Sequence, residues 1–483
     1  MFTHLLSKFW TPASTPPPVD AHVIACTGLD TGGMDIIVTT GLIVDGQLDP
    51  VKLEATLSLL VKEKFPRAGA RLARANGRYE YHIPHTFDAT RPAIAFSSQH
   101  HAESYASPSR PPIPSNRHAS ATTPVIQGDI ERLDAFFRSP STPPSVAAFL
   151  KPNVPLLHVH VVTFHDTTFI GLTSSHVLLD AMGTKILIRA WTRLLAGEPL
   201  ADIEGMPWDF EAFAGFTQPT PGWHQQGWFR LGLLSIATWI VQRVLLPRLR
   251  DPKEVGMHVR VPKAFLEAEK RRVMEELKAA GSEDWVGSSD VLLAWWLKTA
   301  YQHRSDNTQL YVQIPANIRD HHVFPTESKT IEAPFVNNAI LAVPVPPFTL
   351  KHIRSMTLQE IALQIRRAIL AYGADIETLQ KDLHWRCPNP APLLFPCPPG
   401  AEFSMQTNWR DAKFGAMDFS GALVDGKGSG GVVGVSMITT GTSVPLRNNG
   451  VILFEDDECV WMGQVKGAKD WEAIKKGGGV EFF

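Results

Sequence analysis

A histidine and an aspartate lie four positions apart in the stretch LTSSHVLLDAMGT, residues 172–184, between an apolar run typical of a strand and a glycine. A neutral imidazole at the end of a strand can act as a general base that removes a proton from a hydroxyl group. His176 is therefore a candidate base; the alternative is a histidine bonded to backbone groups beside a chain bend. In a helix the spacing puts Asp180 on the same face as His176. A bend leading to Gly183 would instead turn Asp180 away from the cleft, where it would hold the loop by an ion pair.

Other residues that could carry out catalysis form weaker patterns. Ser174 and Ser175 lack the GxSxG turn that positions a nucleophilic serine. His158 and His160 alternate along a strand, but no third ligand with suitable spacing follows. We therefore expect no metal site and predict that both histidines face solvent. The cysteines match neither a zinc ribbon nor a redox pair, so we expect buried, reduced thiols at Cys26, Cys387, Cys397 and Cys459.

The overall composition argues against several classes of protein. The chain has 46 basic and 48 acidic residues and no long run of lysine or arginine, so we expect no nucleic-acid partner. With 483 residues, 44% of them apolar, it exceeds the size of a single hydrophobic core, which predicts two domains. Residues 1–18 lack the charged start and sustained apolar run of a secretory signal, so we expect a cytoplasmic protein.

One apolar stretch, WFRLGLLSIATWIVQRVLL at 228–246, raises the question of membrane contact. Its uncharged part, 231–242, is shorter than the roughly 20 residues needed to span a bilayer. Arg230 and Arg243 bracket that part. We expect a helix packed on the body of the protein; the alternative is an interfacial helix that gives peripheral contact with an intracellular membrane.

Helices and strands that could position these residues occur in both halves of the chain. Asp49 and Pro50 are typical of a helix start, and the apolar stripe that follows predicts an amphipathic helix. SSDVLLAWWLKTA, 288–300, opens on serines that can cap a buried helix, and SMTLQEIALQIRRAI, 355–369, predicts a third helix. The predicted strands are LLHVHVVTF, TFIGLT, LYVQIP, NAILAVPV, VVGVSMI, GVILF and CVWMGQV.

Taken in order, several motifs resemble those of the BAHD family of acyl-coenzyme A-dependent acyltransferases, especially its fungal secondary-metabolism members. HVLLDAMG is similar to the HxxxDxxG motif of the family, FPRAGARL to the sequence that ends its first helix, and SSDVLLAWWLKTA to its SSxDxLxAxxW helix. PANIRD is similar to its DxR strand end, FVNNAIL to its FGNxx segment and PLRNNGVILF to its closing strand. The resemblance covers nearly the whole chain.

The resemblance implies roles for individual residues. It implies that His176 is the general base, that Asp180 orients the loop of the base, and that Gly183 completes the motif. The stretch TNWRDAKFGAMDFSGAL stands where the family has T-x-W followed by DFGWG. Its first residue, Thr407, is then part of the donor site, and the indole N–H of Trp409 is the hydrogen-bond donor to the oxyanion.

The second part of that stretch matches the family pattern only at its start. Asp418 and Phe419 match the first two residues of DFGWG, whereas 420–422 depart from it. In the family this aspartate is structural, so the resemblance implies a bridge between Asp418 and Arg319. Gly421 could supply a positive φ one position later than in the family.

The resemblance also implies the fold. We expect an α/β protein with two chloramphenicol-acetyltransferase-like domains, each a mixed sheet with helices, and an active site in a channel between them. Residues 1–204 form the domain with HxxxD, 205–255 form a crossover with the apolar helix, and 256–483 form the domain with the DFGWG-like segment.

The implied activity is that of an acyltransferase for groups other than aminoacyl groups. We expect it to transfer an acyl group from acyl-coenzyme A to a hydroxyl of a hydrophobic terpenoid or polyketide, and we expect that acyl group to be acetyl. We expect a monomer with no permanently bound cofactor. One alternative is a carrier-protein-dependent transferase of the condensation type, although these carry HHxxxDG and Ser175 replaces the first histidine. The other is a binding or rearrangement protein on the same fold, which the altered DFSGA segment motivates.

Overall fold

The computed structural model describes residues 20–106, 110–111, 113, 122–324, 331–389, 393–424, 427–442 and 446–482, so the amino-terminal stretch considered as a signal lies outside the described residues. Helices and strands are interspersed along the chain. The helices are α1 (Pro50–Glu63), α2 (Asp134–Phe137), α3 (Val146–Phe149), α4 (Ala181–Leu195), α5 (Leu233–Ile240), α6 (Leu246–Arg250), α7 (Lys263–Ala279), α8 (Ser288–Tyr301), α9 (Leu350–Ser355), α10 (Leu358–Ala374), α11 (Ile376–Arg386) and α12 (Ala468–Gly477). The strands are β1 (Ala21–Ala25), β2 (Ile37–Asp45), β3 (Arg71–Ala75), β4 (Arg78–Pro84), β5 (Ala95–His100), β6 (Val125–Asp129), β7 (Leu157–Thr163), β8 (Thr167–Ser175), β9 (Glu254–Pro262), β10 (Gln309–Asn317), β11 (Ile340–Pro344), β12 (Phe348–Thr349), β13 (Glu402–Asn408), β14 (Val432–Thr440), β15 (Gly450–Glu455), β16 (Cys459–Gly467) and β17 (Glu481–Phe482).

Two large sheets and one small sheet form the body of the protein. The larger sheet has the order β11-β10-β13-β15-β16-β9-β6-β17, and β12 pairs with β10. The five-stranded sheet has the order β14-β2-β8-β7-β5, and the small sheet has the order β1-β4-β3. Parallel pairs, such as β10 with β13 and β5 with β7, occur beside antiparallel pairs in both large sheets. The prediction of an α/β protein with mixed sheets is therefore confirmed.

Each large sheet takes a strand from the other half of the chain. β14 pairs with β2 from Val432 to Thr440, and β6 pairs with β9. Backbone hydrogen bonds therefore interlock the two halves. The domain boundaries that the sequence suggests, at 204/205 and 255/256, stay a prediction.

The local signals of the sequence place the three helices predicted from them, which correspond to α1, α8 and α10. The Asp49 carboxylate accepts a hydrogen bond from the N–H of Val51 at 2.9 Å, and the apolar stripe of α1 is buried as predicted. At α8 the expected serine cap is wrong. Gly287 precedes the helix, and its N–H donates to the carboxylate of Asp290 at 2.7 Å. The hydroxyls of Ser288 and Ser289 accept hydrogen bonds from Arg410 instead.

The apolar stretch at 228–246 forms α5, a π-helical turn from Val241 to Leu245, and the start of α6. One side packs on the body of the protein through Ile236, Trp239 and Val244, which contact a cluster around Phe395. The packed-helix expectation is confirmed for that side. The opposite side is exposed, and no helix in the described part of the chain is long and apolar enough to cross a bilayer.

Candidate active site

A cavity of about 1120 Å³ lies between the two large sheets. Strands β2, β8 and β14 line it from the five-stranded sheet, and β10, β13, β15 and β16 line it from the larger sheet. Its volume is slightly larger than the range of about 300–1,000 Å³ found for small-molecule sites. The cavity can therefore accommodate a substantial apolar ligand together with a second reactant.

His176 lies at this cavity, directly after the last residue of β8. Its N–H donates to the carbonyl of Ile36 at 2.9 Å, and its own carbonyl accepts a hydrogen bond from Asn338 Nδ2 at 2.7 Å. The imidazole is half-buried, and its Nδ1 has no hydrogen-bond partner among the described residues. A Cβ added at Gly33 would lie 3.1 Å from the ring, so this glycine packs directly on it.

Asp180 points away from His176 and caps α4. Its carboxylate accepts hydrogen bonds from the N–H groups of Gly183 at 2.7 Å and Ala339 at 3.0 Å. The same carboxylate receives Arg319 Nη2 at 2.8 Å and Nη1 at 3.0 Å. Of the two interpretations of the spacing, the ion pair that holds the loop is the one found.

The expected bridge between Asp418 and Arg319 is wrong. The guanidinium of Arg319 donates to Asp180, to the side chain of Asn317, and to the carbonyls of Phe335 and Asn337. These contacts use all the donors that an arginine side chain has. Asp418 is exposed, and its carboxylate accepts a hydrogen bond from the N–H of Ser420 at 2.8 Å.

The carbonyls of the His176 loop are held by three side chains that the sequence reasoning did not single out. The hydroxyl of Tyr81 donates to the carbonyl of Val177 at 2.7 Å. Asn338 Nδ2 donates to the carbonyls of His176 and Val177, and Asn337 Nδ2 donates to that of Leu178 at 3.2 Å. The two asparagines belong to the FVNNAIL stretch, so the resemblance of that stretch was the signal that pointed to them.

Gly183 allows a close approach between α4 and the chain before β11. A Cβ at this position would lie 1.8 Å from the carbonyl oxygen of Val336, a distance that no side chain tolerates. This close approach explains why residue 183 is a glycine. Without it, the helix that begins at Asp180 could not approach the chain next to Asn337.

Thr407 and Trp409 reach the cavity from the larger sheet. Thr407 lies on β13, and Trp409 follows that strand. The backbone N–H of Trp409 donates to the carbonyl of Ile452 at 2.8 Å. Both residues line the cavity, and Trp409 is 6% exposed. The structure thus brings four predicted site residues, His176, Asp180, Thr407 and Trp409, to one cavity.

The DFSGA segment packs behind α4 rather than on the cavity. The ring of Phe419 meets the ring of Trp191 edge to face at 5.4 Å. The expectation of a positive φ at Gly421 is wrong, because that residue is not in the left-handed region. A Cβ there would lie 2.1 Å from the carbonyl oxygen of Leu195, so close packing is what requires the glycine.

The remaining candidates have other environments. His160 is buried, with Nδ1 at 2.8 Å from the hydroxyl of Ser97, and His158 is half-buried, with its ring edge to face against Phe149. The prediction that these histidines face solvent is wrong because both sides of β7 are covered. Among the described residues no group of three His, Cys, Asp or Glu side chains could hold a metal ion. The four cysteines are free and buried as predicted, and burial raises the pKa of each thiol.

Comparison with known proteins identifies the family. No protein-family model matches the sequence. Acetyltransferase adrJ of Penicillium roqueforti is 30% identical over 417 residues, which cover 81% of this chain and 80% of that protein. The chain belongs to the fungal BAHD-type acyltransferases. Acetyltransferase sphE of Aspergillus fumigatus is 27% identical over 486 residues, which cover 93% of each chain.

The fold of this BAHD-type acyltransferase also occurs in solved structures. The crystal structure of TRI101 from F. sporotrichioides, complexed with coenzyme A and T-2, matches with a TM-score of 0.61 at 14% identity. The match covers 94% of this chain and 97% of that one. The predicted two-domain, chloramphenicol-acetyltransferase-like fold is confirmed, and so is the prediction of an acyltransferase.

Proposed function

We propose that this BAHD-type enzyme transfers an acyl group from acyl-coenzyme A to a hydroxyl group of a hydrophobic secondary metabolite, with His176 as the general base. The observation that carries the proposal is the position of His176. His176 follows the last residue of β8, and it lines the cavity between the two large sheets. An alcohol and a thioester that enter this cavity can therefore meet at this imidazole.

The reaction needs a base and an oxyanion donor. An aliphatic hydroxyl is a weak nucleophile near neutral pH, so His176 takes its proton as the oxygen attacks the thioester carbon. The new C–O bond produces a tetrahedral intermediate with a negative oxygen, which the indole N–H of Trp409 stabilises. The C–S bond then breaks, and the imidazolium returns the proton to the sulfur. The products are the ester and free coenzyme A.

Asp180 affects this reaction only by fixing the position of the loop that carries His176. Its carboxylate is occupied by Arg319, Gly183 and Ala339, so it is not available to relay a proton from the imidazole. A general base must lie within hydrogen-bond reach of the proton that it removes. The buried pair of Asp180 with Arg319 fixes the bend that sets this reach.

The cavity lining and the relatives support the choice of substrates. Apolar side chains from both sheets make up much of the wall, including Leu172, Ile314, Val343, Phe403, Met437 and Val451. Such a wall suits a terpenoid or polyketide body. The relatives adrJ and sphE carry the name acetyltransferase, and the TRI101 crystal contains coenzyme A. We therefore take acetyl-coenzyme A as the donor and a single chain as the active unit.

We further propose that the enzyme is cytoplasmic and that the exposed side of α5 and α6 contacts an intracellular membrane of negative surface charge. Leu233 and Leu234 are each 83% exposed, and Leu249 is 80% exposed. The segment 228–250 contains four arginines and no acidic residue. Exposed leucines beside arginines are the combination by which interfacial helices bind anionic lipid. Trp239 on the opposite side of α5 lines the cavity, so an apolar acceptor could pass from lipid along this helix.

The proposal is tested by release of free thiol from acetyl-coenzyme A in the presence of a panel of hydroxylated terpenoids and polyketides. We expect turnover by the wild type and a loss of about 10²- to 10⁴-fold in His176→Ala. His352→Ala, at an exposed position of α9, is the matched control and should keep full turnover. Full turnover by His176→Ala would refute the general-base role.

The same assay separates the alternatives. Acylation from an acyl-carrier protein but not from acetyl-coenzyme A would indicate a condensation-type transferase. Tight binding of an alcohol without thiol release from either donor would indicate a binding or rearrangement protein.

A further inference from the structure

A buried arginine that the proposed reaction does not use lies in the wall of the cavity. Arg386 is the last residue of α11 and is 9% exposed. Its side chain lines the same cavity as His176. Among the described residues, none forms a hydrogen bond or an ion pair with its guanidinium.

The other four buried arginines have partners within the chain, and Arg260 forms an ion pair with Glu458 at 3.9 Å. Arg319 uses its donors on Asp180 and neighbouring backbone carbonyls, as described above. Arg67 donates to the carbonyls of Trp208 and Phe210, and Arg71 donates to that of Gly69. Buried polar groups are nearly always hydrogen-bonded, because an unpaired buried charge is costly. Arg386 therefore indicates a partner that is not part of this chain.

The charge of Arg386 persists at neutral pH. Burial lowers the pKa of its guanidinium to about 10, and the nearby thiol of Cys387 acts weakly in the opposite direction. At pH 7 the group is thus a cation inside a largely apolar cavity. An anionic group of a ligand is the partner that satisfies both its charge and its donors.

The position of the guanidinium links it to the base. A Cβ on Gly32 would lie 2.4 Å from Arg386 Nη2, and a Cβ on Gly33 would lie 3.1 Å from the imidazole of His176. The two side chains thus pack on adjacent residues of one turn, which limits their separation to about 12 Å. The phosphates of coenzyme A are separated from its sulfur by the whole pantetheine arm. An anionic group near Arg386, with the reacting atoms at His176, therefore belongs to the acceptor.

We propose that Arg386 is a specificity-determining residue that binds a carboxylate of the acceptor, so that the acceptor is a hydroxylated apolar acid. The proposal rests on the proposed function, because it assumes that the cavity binds the alcohol. It extends the proposed function by naming the chemical class of the acceptor. A carboxylate and a phosphate offer the same anionic oxygens, and the experiment separates these two sources.

Binding without turnover tests the proposal. Dodecanoate, methyl dodecanoate and dodecanol are titrated into the wild type, Arg386→Gln and Arg386→Lys, with isothermal calorimetry as the readout. We expect dodecanoate to bind the wild type about 10- to 100-fold more tightly than the ester or the alcohol, since a hydrogen bond to a charged group is worth that factor. Arg386→Gln should lose this preference, and Arg386→Lys should keep part of it. Arg74→Gln, at another cationic residue of the cavity wall, is the matched control and should keep the preference.

Several results would overturn the proposal. Equal binding of the three probes by the wild type would show that no anion subsite exists. Equal loss of the preference in Arg74→Gln would assign it to the general charge of the cavity. Coenzyme A and its 3′-dephospho form make up the last arm: weaker binding of coenzyme A by Arg386→Gln, with dodecanoate binding unchanged, would place a donor phosphate at Arg386. Because none of these measurements needs acyl transfer, they can fail while the His176 assay succeeds, and the reverse also holds.

The melting temperature provides an independent readout. Since Arg386 forms no bond that the folded chain would lose, Arg386→Gln should melt at or above the temperature of the wild type. A clear decrease would indicate a structural role instead and would count against the subsite.

Discussion

Breaking the ion pair of Asp180 with Arg319 tests how the loop of His176, the proposed base, is held. The two side chains are 3% and 8% exposed, and the distance from Arg319 Nη2 to the Asp180 carboxylate is 2.8 Å. Removing one partner leaves the other charge buried and unpaired, which costs about 3–5 kcal/mol. We therefore expect Asp180→Ala and Arg319→Met each to lower the free energy of unfolding by that amount.

The double variant separates the pair from its surroundings. With both side chains removed, no unpaired charge remains, so the cost should fall below the sum of the two single costs by about 2–3 kcal/mol. The hydrogen bonds from Gly183 and Ala339 are lost in Asp180→Ala and in the double variant, because Asp180 accepts both, and they remain in Arg319→Met. Those losses enter the single variant and the double variant equally and cancel in the cycle.

Equilibrium urea denaturation, followed by tryptophan fluorescence, measures the four free energies. Asp418→Asn is the control, because this exposed carboxylate accepts one described hydrogen bond from Ser420, and its change should lie within about 0.5 kcal/mol. Additive single costs would refute the reasoning. So would a large loss in Asp418→Asn, which would restore Asp418 as the partner of Arg319. In the thiol-release assay Asp180→Ala should lose about 10²-fold in kcat/KM, the effect of a base displaced by about 1 Å.

Three further predictions follow from particular contacts. Gly183→Ala should lower the free energy of unfolding by about 1–3 kcal/mol and reduce turnover, because its methyl group would meet the carbonyl of Val336; unchanged urea midpoints would contradict this. His258 is fully buried and burial lowers its pKa to about 4, so the unfolded chain takes up this proton first as the pH falls below about 6.5. Stability should therefore decrease from pH 6.5 to pH 4, and His258→Gln should show a weaker dependence. Asp30, whose pKa burial raises to about 6, acts in the opposite direction in both proteins, and equal slopes for the two would refute the assignment. The wild type should float with liposomes that contain phosphatidylserine, whereas the double variant Leu233→Ser/Leu234→Ser should remain in the unbound fraction. Wild-type protein that remains wholly unbound would argue against membrane contact.

Sequence reasoning succeeded where the signal is local. The cap and stripe of α1 depend on residues within a few turns of Asp49, and the strand before His176 depends on its own apolar run. Such signals act over the spacing of one helix face or one strand. They place His176 at a strand end without knowledge of the rest of the fold.

The same reasoning failed where the partner is distant. Arg319 lies 139 residues from Asp180, and nothing local distinguishes that carboxylate from Asp418 as its partner. The burial of His160 likewise depends on what covers β7. Only the assembled sheets decide which acidic residue reaches a buried guanidinium. All five donors of Arg319 are then used, so a second carboxylate cannot bind it.

The position of His176, the proposed base, is therefore fixed by contacts across the two large sheets rather than by its own strand. His176 follows β8 of the five-stranded sheet, while Arg319 follows β10 and Asn338 precedes β11 in the larger sheet. Three of the groups that fix the loop, Arg319, Asn337 and Asn338, thus belong to the opposite wall of the cavity. A change in the distance between the walls would move His176 relative to both substrates, even with every catalytic side chain intact. Substitutions at this interface should consequently reduce kcat before they weaken the binding of either substrate.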